Sequence, residues 1–216
     1  MAACTYMSSQ AISHTITYKR PSLEVEYDYV GIIDGLTCAD RLGYLITEEL
    51  TDLLVAGGVQ VAIARVNNKL ELLASLEAFR KEAVEGKKFM LHFVAHGNEG
   101  GIAAAEEFCQ WTELRPFLQR VHAATNETLL LNMSTCKGLH GIKATDHSGT
   151  FPFFGLIGAT ADLVVKDAKA ANRKIYEKWL AGLPVQKLVD ETNSELGKEL
   201  LFLISSEGYR ILTEPM

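Results

Sequence analysis

The sequence predicts an α/β fold, one domain with a mostly parallel sheet and helices on both faces. Three observations predict it. Short apolar or β-branched runs alternate along the chain with longer stretches of helical spacing. Those runs are apolar on consecutive residues, as strands covered on both faces are. A chain of 216 residues, 48% of them hydrophobic, is long enough for one substantial core.

The elements follow in order. Residues 1–25 are polar and hydroxyl-rich and break at Lys19-Arg20-Pro21, so an N-terminal arm or edge hairpin is expected there, with the domain over 26–216. EYDYVGIID, ending at Asp34, reads as the first strand. Residues 38–56 place Leu42, Leu45, Ile46, Leu50, Leu53 and Leu54 on one helical face, and Gly57-Gly58 supplies a stop. Val59–Val66 is short and β-branched, hence a strand, and Leu70–Val84 returns to helical spacing before Gly86. Phe89–Ala95 is the next strand, apolar on both faces apart from His92. A helix over Thr112–Ala124 leads into a strand over Thr128–Met133, and Phe151–Thr160 reads as a fifth strand. Helices over Asp167–Leu180 and Val185–Leu196 come next. A terminal hairpin is expected from Leu200–Ile204 and Tyr209–Leu212 around Ser205-Ser206-Glu207-Gly208.

Composition narrows the function. A net charge of −6 without a basic stripe argues against a nucleic-acid surface. No apolar run approaches the ~20 residues needed to span a bilayer. The N-terminus lacks an apolar signal-peptide core, so a cytoplasmic location is expected. Cys4, Cys38, Cys109 and Cys136 form no CxxC pair and are expected to be free thiols.

Ligands of open α/β sheets bind beyond the carboxyl ends of the strands. Three strands end in residues of chemical potential: Asp34, His96 and Cys136. One helical crossover separates His96 from Cys136, which makes their strands candidate neighbours. A thiol beside an imidazole is the minimum equipment for nucleophilic attack on a carbonyl, because histidine can take the thiol proton. Gly97 lets the backbone approach a substrate, and its N–H, with that of Cys136, can face a developing oxyanion.

FMLHFVAHGNEGG followed by LLLNMSTCKG resembles the caspase-like cysteine peptidases, a clan that includes caspases, metacaspases, separase and the bacterial CHAT domains. The segment FFGLIGATADLVVKDAKAANRKIYEKWLAGLPVQKLVDE is similar to the CHAT-type region after the nucleophile, and the resemblance covers roughly residues 27–215. It implies a three-layer α/β/α sandwich with a six-stranded sheet and a bacterial cysteine endopeptidase. His96 would be the catalytic histidine, Cys136 the nucleophile, and the amides of Gly97 and Cys136 the oxyanion hole. The motif departs from the caspase and metacaspase patterns, since Ser134-Thr135 precedes the cysteine. By the same resemblance Asp34 lines the pocket for the P1 side chain. A carboxylate there favours Lys or Arg, with Ser134 adding a hydrogen bond.

The expected partners are a protein or peptide substrate and an activator or neighbouring regulatory protein. No cofactor and no metal are expected: His92 and His96, four apart on a strand, stand about 13 Å apart at a rise of ~3.3 Å per residue. The loop over residues 137–150, with His140, Asp146 and His147, reads as a polar activation or substrate-contact loop. Lys137 and Lys143 in it are candidate self-cleavage sites. His14 and His122 read as solvated, and Cys38 and Cys109 as packing residues. Two alternatives stay open. One is a catalytically silent interaction module on the same fold. The other is a glutaminase-type amidase, in which the histidine would have to be His140 or His147.

Overall fold

The computed structural model describes residues 25–146 and 150–213; the expected arm lies outside these, apart from its last residue. The chain runs β1 (Tyr29–Asp34), α1 (Cys38–Tyr44), α2 (Ile46–Ala56), β2 (Gln60–Arg65), α3 (Lys69–Val84) and β3 (Phe89–Val94). It continues through β4 (Gly97–Asn98), β5 (Gly101–Ala104), β6 (Glu107–Gln110), α4 (Trp111–Ala124) and β7 (Leu130–Ser134). After a 3-10 segment, Gly138–Ala144, come β8 (Gly155–Gly158), α5 (Val165–Leu180), α6 (Val185–Leu196), β9 (Phe202–Ser205) and α7 (Ser206–Thr213).

Six strands form the main sheet in the order β2-β1-β3-β7-β8-β9. All pairs are parallel except β8 with β9. β1, β3 and β7 are buried along their whole length, as a sheet covered on both faces requires. Successive side chains go to opposite layers. Leu91 and Phe93 pack with α3 and α4 through Leu72, Leu76, Phe79, Trp111, Leu114 and Leu118. Met90 and Val94 pack with α2, α5 and α6 through Leu50, Leu54, Ile175, Tyr176 and Leu188. The expected three-layer α/β/α sandwich is therefore the fold.

Four expectations are corrected. The helix expected over 38–56 is two helices, because Leu45 adopts a left-handed conformation (φ 53°) that ends α1 and opens α2. Leu42 is consequently 74% exposed, and α1 contains no buried residue at all. The terminal hairpin is a strand followed by a helix. The Ser205 hydroxyl accepts from Gly208 N at 2.9 Å, so the expected turn acts as a helix cap. His122 is buried in α4, whereas Cys38 is exposed and only Cys109 packs in the core. Finally, the glycine-rich stretch after His96 contains an unexpected three-stranded antiparallel sheet, β4-β5-β6. Its glycines and alanines carry little strand propensity, and its pairing is local.

Two imidazoles sit neutral in the core. His92 Nδ1 meets the Tyr176 hydroxyl at 3.0 Å between β3 and α5, and burial pushes its pKa down to about 3. Burial also lowers His122, to about 4. The unfolded chain takes up these protons near pH 6.5, and the folded chain only below about 4, so stability is complete above pH 6.5 and falls with acidification. Each histidine is expected to remove roughly 2 kcal/mol between pH 6.5 and 5. Urea unfolding at pH 7.5 and 5.0 reads this directly, and His122→Gln should narrow the difference. Equal midpoints at both pH values for the wild type would contradict it.

Candidate functional site

Register brings the site together. Asp34 pairs with Val94 across β1 and β3, and Val94 with Ser134 across β3 and β7. His96 and Cys136 each lie two residues beyond this common level, on neighbouring strands. Their backbones are in contact: a Cβ on Gly97 would stand 2.8 Å from the Cys136 carbonyl oxygen and 3.1 Å from Thr135 Cβ. Glycine is what permits that approach. On the far side, Lys137 takes a left-handed conformation (φ 52°), and the chain turns at once into the 3-10 segment. Lys137 N donates to the Ala161 carbonyl and Leu139 N to that of Ala159, both at 2.9 Å, which ties the cysteine turn to the loop leaving β8.

The two candidate side chains each have a defined neighbour. Half-buried Cys136 receives a hydrogen bond at Sγ from Leu163 N at 3.3 Å, on the approach to α5. His96 is 52% exposed, and its Nε2 lies 3.1 Å from Asp40 Oδ2 on α1. Among the described residues no hydrogen bond joins His96 to Cys136. The amides expected as oxyanion donors are available. Among the described residues Cys136 N takes no part in the backbone bonds of the rim. The Gly97 N–H points away from β5, because Ala103 N donates to the His96 carbonyl and antiparallel bonds alternate.

Asp34 and Ser134 are placed differently from the expectation. Asp34 is 0% exposed, and both its oxygens are engaged. Oδ1 accepts from Leu36 N at 3.1 Å and Arg41 Nε at 3.2 Å, and Oδ2 accepts from Thr47 Oγ1 at 2.9 Å. The same guanidinium donates to the carbonyls of Asp34 (3.0 Å) and Val66 (2.9 Å) and to Asn67 Oδ1 (3.0 Å). Asp34 thus bolts α1 and α2 to the end of β1 instead of lining an open pocket. Ser134 is buried and accepts from Asn172 Nδ2 of α5 at 3.0 Å. Lys137 and Lys143 are also occupied, reaching Glu99 Oε1 at 3.0 Å and the Glu99 carbonyl at 2.9 Å. They clasp the β4–β5 turn to the 3-10 segment. Half-buried His140 lies in that segment, and His147 falls outside the described residues.

Asp40 is the member of the site that sequence reasoning missed. Its carboxylate accepts from the Thr37 hydroxyl at 2.7 Å, and the Thr37 oxygen in turn caps α1 by accepting from Asp40 N at 3.2 Å. The Thr37 bond, followed by that of His96, holds the Asp40 carboxyl below the usual carboxylate range. A threonine three residues before an aspartate, directly after a strand, is a visible N-cap signal. It was hidden by reading 38–56 as one helix from its leucines.

No protein-family model matches the chain, and neither does any curated protein. Among the described residues no helix is long and apolar enough to cross a membrane.

The role of Asp34 can be measured. Asp34→Ala strands the Arg41 guanidinium, which is only 12% exposed, and is expected to cost roughly 3 kcal/mol of stability by denaturant unfolding. An unchanged unfolding midpoint together with altered P1 selectivity would return Asp34 to the pocket role.

Proposed function

We propose that the chain is a cysteine endopeptidase whose nucleophile is Cys136 and whose general base is His96. The observation that supports it most is positional. Two neighbouring parallel strands deliver an imidazole and a thiol to the same level of the carboxyl rim, and Gly97 packs directly on the Cys136 carbonyl. His96 is 52% exposed, and catalytic contacts are often long in the absence of substrate.

The reaction follows from the groups present. His96 takes the proton from Cys136 Sγ, and the thiolate attacks the peptide carbonyl carbon. The amides of Gly97 and Cys136 face the oxygen that gains charge. As the C–N bond breaks, the proton on His96 passes to the leaving amine, and a thioester remains on Cys136. Water, deprotonated by His96, then adds to the thioester carbonyl, and the C–S bond breaks to release the acid and restore the thiol. P1 selectivity is left to the cleavage profile, because the carboxylate expected to set it is already paired with Arg41. A cytoplasmic, bacterial setting and a partner protein that activates the enzyme belong to the same proposal.

One observation favours a second reading, a silent binding module: His96 is turned toward Asp40 and the thiol toward Leu163. Alkylation separates the two. With iodoacetamide and peptide mapping, Cys136 is expected to react much faster than exposed Cys38, and His96→Ala to slow Cys136 alone. On a peptide library, Cys136→Ala should abolish cleavage and His96→Ala lower kcat/KM by about 10²–10⁴. Labelling of Cys136 no faster than that of Cys38, with no cleavage, would favour the binding module.

A further inference from the structure

Helix α1 poses a question of purpose. It spans seven residues, buries none of them fully and leaves Leu42 in solvent, so its contact with the core is limited to half-buried Tyr44. Yet it is among the most firmly anchored elements of the rim. Arg41 makes four hydrogen bonds to the ends of β1 and β2, and Thr37 caps the first turn. An element held in this way with so little apolar burial is holding something else in place.

What α1 presents is Asp40, and what Asp40 meets is His96. We propose that Asp40 is a positioning residue for the His96 base, fixing the tautomer in which Nε2 carries the hydrogen and Nδ1 is left to face the thiol. The proposal rests on the peptidase reading of Cys136 and His96 and adds to it a third member. The chemistry is that of donors and acceptors. An ionised carboxylate only accepts, so a neutral imidazole bonded to it through Nε2 must carry its hydrogen there. Asp40 is ionised at working pH, since the Thr37 hydroxyl and His96 keep its carboxyl below the ordinary range.

The proton path follows. Nδ1 accepts the Cys136 thiol proton as the thiolate attacks, and returns it to the leaving amine as the C–N bond breaks. The Nε2 hydrogen stays on the ring throughout, and the imidazolium formed between these steps sits against the Asp40 carboxylate. Thr37 supports this geometry by holding the same oxygen, Oδ2, that meets Nε2. The Tyr44 phenol lies beside the carboxylate, which pushes the phenol's own pKa up. A role in stability alone is a poor alternative, because the His96 and Asp40 side chains are 52% and 24% exposed and surface pairs contribute little.

Asp40→Asn provides the test, since it keeps the shape while its amide can turn a donor toward Nε2 and invert the tautomer. Turnover by Asp40→Asn is expected to fall by about 10–10³-fold in kcat with KM nearly unchanged, and Asp40→Glu to recover part of it. Thermal melting of Asp40→Asn should match the wild type. The second readout needs no turnover: two-bond ¹⁵N–¹H correlation spectra of His96 should show the Nε2–H tautomer in the wild type and its loss in Asp40→Asn. If the wild type cleaves nothing and Cys136 is no more reactive than Cys38, the peptidase reading fails, and the tautomer alone then decides the role of Asp40. An unchanged tautomer in Asp40→Asn, or an unchanged kcat in an active enzyme, would overturn the assignment.

Discussion

The alignment of β1, β3 and β7 is the constraint on which the rest of the molecule depends. Parallel strands in this register end at one level, and whatever follows them is delivered to one rim. The register is held by the two apolar faces. A slip of one residue would turn Leu91 and Phe93 away from α3 and α4, and would drive His92 out of its place beneath α5. The packing that makes the sheet stable is thus the packing that brings His96 level with Cys136. Gly97 completes the approach where a side chain would hold the two segments apart.

The polar residues that end β1 and β7 do similar work on the two halves of the site. Asp34 holds Arg41, Arg41 holds α1, and α1 carries the carboxylate that meets His96. Ser134 holds Asn172 of α5, and the residue that leads into α5, Leu163, gives its amide to the Cys136 sulfur. Each reactive side chain is therefore reached through a buried hydrogen bond at the end of a strand. This explains why polar groups are found at strand ends that are otherwise sealed. A buried carboxylate is tolerated when its bonds are complete, and both oxygens of Asp34 are engaged.

The layers and the neighbouring strands that end at His96 and Cys136 were legible in the sequence, because unbroken apolar runs announce strands covered on both sides. What was not legible depended on side-chain partners that no spacing rule announces, some near in sequence and some far. Asp34 looks like a ligand-facing carboxylate until the guanidinium of Arg41 is seen to fill that space. Ser134 looks like a pocket residue until Asn172 arrives from a helix far along the chain. The leucines of 38–56 suggest one amphipathic helix, yet Leu42 faces water, since the break at Leu45 turns α1 off the core. The sheet of β4, β5 and β6 was invisible for a different reason: the glycines and alanines of β4 and β5 give a weak apolar signal, although Ile102, Ala104 and Cys109 pack in the core.

An element with little apolar anchorage has its own thermodynamics. Because α1 is held mainly by charge and hydrogen bonds, with only half-buried Tyr44 packed on the core, its release exposes little hydrophobic surface. Opening such an element carries little of the heat-capacity change that marks global unfolding, and its cost lies in breaking the buried Asp34–Arg41 pair. The carboxylate beside His96 thus rides on an element tied to the sheet chiefly through one guanidinium. That guanidinium is nearly closed to solvent, so salt screens its pairing little, and the surroundings of the imidazole persist as long as the end of β1 stays folded.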